Sequence, residues 1–142
     1  MEAPPSALDR YFYFLDVEVQ DSLFRHVVEA TFGVKPTRDK LPWLDALKAE
    51  GYFLIDLSKD PFEDANTLRP LVPGVVSRCR ALEPARIVLV GARVYDVAYA
   101  ALLAAQLPVV DVRLPFPGSG QQRRFLDLAA PLLRITNREP LQ

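Results

Sequence analysis

Apolar positions recur along most of this chain at either helical or strand spacing. Leu23, Phe24, Val27, Val28 and Phe32 share one face of a helix that starts at Asp16 or Asp21 and stops at Gly33. A second helix opens near Pro42, carries Leu44 and Leu47, and ends at Gly51. Tyr52 to Leu57 is apolar apart from Asp56 near its end and predicts a buried strand. Residues 58–66 are polar, contain Asp60-Pro61, and predict a loop. Leu71, Val75, Val76, Cys79 and Leu82 predict a third helix despite Pro73 and Gly74 near its start. Arg86 to Val90 is the clearest strand pattern and Gly91 closes it. The alanine-rich stretch 92–106 is a strong helix former. Val109, Val110 and Val112 then predict another strand, and Phe125, Leu126, Ala129, Leu132 and Leu133 a last helix.

From residue 52 the order is strand, helix, strand, helix, strand, helix. Such alternation predicts an α/β fold, a three-layer α/β/α sandwich with a mainly parallel central sheet. In such sheets ligands bind beyond the carboxyl ends of the strands, so Asp56, Gly91 with Arg93, and the loop 113–124 would face one crevice. That loop, Arg113-Leu114-Pro115-Phe116-Pro117-Gly118-Ser119-Gly120, is stiffened by two prolines and delivers its backbone N–H groups to a helix start. An ordinary strand-to-helix connection fits the same pattern. Tyr11 to Leu15 reads as a strand or a hydrophobic anchor.

At 142 residues the chain has the size of one domain, placed at 1–136 with a loose tail at 137–142. No apolar run is long enough to span a bilayer, and residues 1–10 lack the basic and apolar regions of a signal peptide, so a cytoplasmic setting is expected. The net charge of −1 is unevenly spread: residues 1–70 carry eight Lys or Arg against thirteen Asp or Glu, residues 71–142 nine Arg against five acids. The second half therefore offers arginines to phosphates, with solvated helix faces as the plainer explanation. Thirteen prolines and only two asparagines fit a heat-adapted source.

Cys79 is the only cysteine, which rules out an internal disulfide or a thiolate cluster, and its spacing makes it a small buried apolar residue. His26, the only histidine, reads as a surface residue of the first helix, with nothing in the sequence to orient it as a base. No P-loop, dinucleotide fingerprint, nucleophile elbow or zinc-protease motif is present. No metal and no cofactor are implied.

Five short pieces, in order, resemble the uracil-DNA glycosylase superfamily. Glu2-Ala3-Pro4-Pro5 is similar to the opening of that family's first catalytic motif, and Tyr11-Phe12-Tyr13 follows where its base-stacking aromatic stands. Phe53-Leu54-Ile55-Asp56 resembles the strand whose last residue reads the base edge. Arg86 to Gly91 resembles the third strand. Leu114-Pro115-Phe116-Pro117-Gly118-Ser119 stands in the place of the final His-Pro-Ser-Pro-like motif.

The resemblance implies excision or binding of a damaged or non-uracil base in DNA. Glu2 and Asp56 would be the catalytic pair, with Glu2 placing water or stabilising sugar charge. Tyr11, Phe12 and Tyr13 would hold the extruded base. Arg113, Gly118, Ser119, Gly120, Arg123 and Arg124 would meet phosphate or the departing anion. The chain departs from the family at three places. Arg113-Leu114-Pro115 stands where the histidine belongs. Asp56 replaces an asparagine, and an ionised carboxylate only accepts, which suits an amino-bearing base; a cap or a salt bridge to Lys59 explains Asp56 equally well. The family's first strand should precede Glu2, so either the sheet lacks it, a segment such as Tyr11 to Leu15 fills the gap, or the start lies upstream. A rearranged sheet or a partner chain at the edge, with a homo-oligomer among the possibilities, is expected. A non-catalytic nucleotide- or nucleic-acid-binding or interaction protein of the same fold, and an enzyme acting on a nucleotide-like small molecule, stay open.

Overall fold

The computed structural model of the protein describes residues 22–56 and 68–134. Helices account for 58% of these residues, with no sheet among them. The expected three-layer sandwich with a parallel central sheet is therefore overturned. The helices are α1 (Ser22–Phe32), α2 (Leu41–Ala49), α3 (Val72–Leu82, preceded by a 3-10 turn at Arg69–Leu71), α4 (Ala92–Ala104) and α5 (Gln122–Leu133). They are shared between two compact units, one holding residues 54–56 and 68–115, the other residues 22–53 and 116–134.

In the first unit α3 buries Val72, Val75 and Cys79, and α4 buries Val94, Ala98 and Leu102. These faces close on Leu68 and Leu89, with Ile55, Ile87 and Val109 packed against the cluster. Pro73 is tolerated because it falls in the first turn of α3, where a missing N–H costs nothing. The helix stops at Glu83, in the left-handed region at φ 50°, just before Pro84. Gly91, at φ 108°, turns the chain into α4 in a conformation that a side chain would strain. At the far end Leu107 N–H donates to Leu102 C=O (3.1 Å) and Gln106 N–H to Leu103 C=O (2.9 Å), a Schellman-type close with Gln106 at φ 63°.

The sheet fails for a countable reason. Residues 87–90 and 109–114 do run parallel on either side of α4, but they touch only through isolated bridges, Ile87 with Val109 and Val90 with Leu114. Three steps along one segment are matched by five along the other, so two residues loop out between the bridges. Backbone bonds form at the two ends, from Ile87 N–H to Pro108 C=O (2.8 Å) and from Gly91 N–H to Leu114 C=O (3.1 Å). The excess chain turns to α4 instead: Tyr95 Oη donates to Asp111 (2.5 Å), and Arg113 grips Asp96 with two bonds of 2.9 and 2.8 Å. The strand expected at 52–57 also fails over the described residues 52–56, which carry no strand. Phe53 is 70% exposed there, while Ile55 packs on the core of the first unit.

The second unit is built on α1 and α5. Leu23, Phe24, Val27, Val28 and Ala30 of α1 are buried, as are Phe125, Ala129 and Leu133 of α5, at the spacing of one helix face. The two helices run parallel. The Ser22 hydroxyl, at the start of α1, donates to the carbonyl of Pro117, which leads into α5. At the other end Arg134 Nε donates to the Ala30 carbonyl (2.8 Å), and Tyr52 Oη donates to the Leu133 carbonyl (2.6 Å). Carbonyls that each helix leaves without an internal partner are thus met by a cation and a hydroxyl. Alongside, Lys40 is buried with its ammonium 4.7 Å from the centre of the Phe24 ring, and Trp43 Nε1 donates to Thr37 Oγ1 (2.9 Å).

Candidate anion-binding corner

Because α1 and α5 are parallel, their amino ends lie at one end of the second unit. Between them sits the turn 118–121. Ser119 (φ 52°) and Gly120 (φ 85°) are both left-handed, and Gln121 N–H returns to Gly118 C=O at 3.0 Å, the pattern of a type I′ turn. Pro117 is fully buried and anchored by Ser22, so the turn is fastened to the first turn of α1.

His26 lies on the same end. Helical side chains lean toward the amino terminus, which brings its ring back over the preceding turn. Nδ1 is 2.7 Å from the Ser22 carbonyl and 3.3 Å from the Ser22 hydroxyl. A carbonyl only accepts, so Nδ1 carries the proton and Nε2 remains for a ligand. The sequence expectation that nothing orients this histidine is corrected: its own helix does, four residues back.

The electrostatics of this corner run against helix stability. An α-helix carries roughly +0.5 charge at its amino end, which favours acids there and disfavours bases. Neither first turn contains an acidic residue. Arg25 follows on α1, and Arg123 and Arg124 open α5; all three are exposed, and no hydrogen bond or ion pair forms between any of them and a described residue. Gln121 supplies no side-chain cap to α5. The N–H groups that open α5 lie in the same first turn as the exposed Arg123 and Arg124. Over its described residues this unit carries eight Lys or Arg against five Asp or Glu.

Of the residues expected at a common crevice, Gly118, Ser119, Gly120, Arg123 and Arg124 are brought together here. Asp56 and Arg113 belong to the first unit. Arg113 is taken up by Asp96, which raises the pKa of the guanidinium and lowers that of the carboxyl through their hydrogen bonds. The guanidinium expected at a phosphate or departing anion thus has a carboxylate partner, with both side chains about half exposed. Asp56 is partly buried, and burial raises its carboxyl pKa against the pull of Arg78, whose Nη1 donates to the Asp56 backbone carbonyl at 2.8 Å. Glu2, Tyr11, Phe12 and Tyr13 lie outside the described residues, as does the tail at 137–142.

A second polar cluster, in the first unit, was not singled out from sequence. Tyr95 and Tyr99 stack at 4.8 Å, and the bond to Asp111 holds the Tyr95 hydroxyl neutral, pushing its pKa up to about 12. Among the described residues no three His, Cys, Asp or Glu side chains are grouped to hold a metal, and no helix is long and apolar enough to cross a membrane. The Ser22-His26 pair was legible only as a spacing of four on a helix; its partner Pro117 is 95 residues away. Comparison with protein-family models, with curated proteins and with solved structures finds no match to this chain.

Proposed function

We propose that the chain is a binding protein for the phosphate backbone of a nucleic acid, engaged at the corner formed by the amino ends of α1 and α5. The carrying observation is that Arg25, Arg123 and Arg124, at the positive ends of two parallel helices, are exposed and have no partner among the described residues, with no acid in either first turn. Local choices that cost stability and have no structural return mark functional positions. The N–H groups of Gln122 to Arg124 add donors to the same site. Excision of a base draws no comparable support, because the parallel-sheet crevice it required is absent among the described residues.

Salt dependence of binding to a labelled DNA strand tests this reading. Each phosphate contact contributes close to one unit to the slope of log affinity against log salt. Arg123→Ala and Arg124→Ala are each expected to lower that slope by about one and to weaken binding alike for all sequences. Binding that is absent at low salt, or a slope unmoved by both substitutions, refutes the proposal.

A further inference from the structure

Resting on that reading, we infer that the strand bound is single, with a base stacked on Phe116. Phe116 is 44% exposed, so part of its ring is open to a ligand. It stands in the sequence Pro115-Phe116-Pro117, so both flanking φ angles are fixed by proline rings. Its carbonyl accepts from Gly118 N–H at 2.8 Å, closing the loop on itself. Its ring lies over Gly118: a Cβ built there would meet Phe116 Cδ2 and Cε2 at 3.3 Å. The absence of a side chain at Gly118 is what gives the ring its seat. Backed on this side and exposed elsewhere, the ring is ordered before any ligand arrives, which lowers the entropy lost on binding.

The ring shares its loop with the basic corner. Pro117, the next residue, is bonded to Ser22 beside His26, and Arg123 and Arg124 follow one turn later. Aromatic faces set among phosphate-binding cations are the arrangement by which proteins hold single strands, since every base offers a flat face. A duplex keeps its bases stacked on one another and offers this ring only its backbone.

Three labelled probes decide the matter: an oligothymidylate of about twelve nucleotides, an abasic sugar–phosphate strand of equal length, and the duplex. Phe116→Ala is expected to weaken oligothymidylate binding by about five- to a hundredfold and to leave the abasic strand unchanged. Phe116→Trp is expected to restore binding, which separates stacking from any loss of folding. Arg124→Ala is expected to weaken both single strands equally. If Phe116→Ala leaves oligothymidylate binding intact, weakens both strands equally, or is matched by Phe116→Trp, stacking is refuted while the phosphate reading stands. If the unmodified protein binds no probe at low salt, both fall.

Discussion

Arg134→Ala and Arg124→Ala place the same substitution at opposite ends of the α1–α5 pair, and the structure gives them opposite signs. Arg134 Nε donates to the Ala30 carbonyl at 2.8 Å, a charge-assisted bond to a carbonyl in the last turn of α1. Such bonds contribute about 1.5–3 kcal/mol when sheltered. Arg134 is largely exposed and water can replace it, which brings the expected loss down to about 1–2 kcal/mol. The second contact, Nη2 to the Glu29 carbonyl at 3.4 Å, is too long to add much. At the other end, Arg124 stands in the first turn of α5, where a cation opposes the helix dipole by about 0.3–1 kcal/mol at low salt. Alanine is at least as good a helix former, so removing that arginine is expected to leave stability unchanged or to raise it. Urea unfolding monitored by circular dichroism reads both variants, with the slope checked for constancy. An Arg134→Ala loss below about 0.3 kcal/mol, or an Arg124→Ala loss as large as that of Arg134→Ala, refutes the parallel arrangement and the frustration ascribed to its amino end.

Two further outcomes concern the first unit. Tyrosinate absorbance on raising the pH is expected to show one late-titrating tyrosine near 12, removed by Tyr95→Phe and brought back toward the ordinary range of tyrosine by Asp111→Asn; a titration unaffected by either substitution contradicts the Tyr95–Asp111 bond. The Tyr95 contribution to stability is full below the ordinary tyrosine range and fades as pH rises through the folded value. Asp56 has the same sign at the acidic end: burial raises its carboxyl pKa, so its charged form costs stability once pH exceeds that raised value. Asp56→Asn is therefore expected to be more stable than the parent at neutral pH, with the gain vanishing as pH falls below the ordinary carboxylate range. A loss at neutral pH, read by thermal unfolding across pH, contradicts that burial.

Local structure was legible where it is set by neighbours in sequence. The faces of α1, α3 and α5 follow from Leu23, Phe24, Val27 and Val28, from Val75 and Cys79, and from Phe125, Ala129 and Leu133. The valine run at 109–112 reads as a strand because β-branched residues suit one, yet its pairing register is decided elsewhere. Asp111 and Arg113 find partners on α4, and satisfying those partners takes up two residues of chain. Phe53 reads as a buried strand residue, but it stands one residue before the chain passes from one unit to the other. Placing Ser22 beside Pro117 and Arg134 beside Ala30 requires contacts 95 and 104 residues apart, which periodicity does not encode. For the same reason Gly118 to Gly120 and the following arginines could be singled out, while His26 and Phe116 could not.

Hydrogen–deuterium exchange with and without a saturating single-stranded oligothymidylate bears most directly on the claim that the amino ends of α1 and α5 form the binding corner. Protection confined to the backbone amides of residues 22–26 and 116–124 is the expected result. Protection centred on α3 or α4, or none while binding is seen by anisotropy, would contradict it.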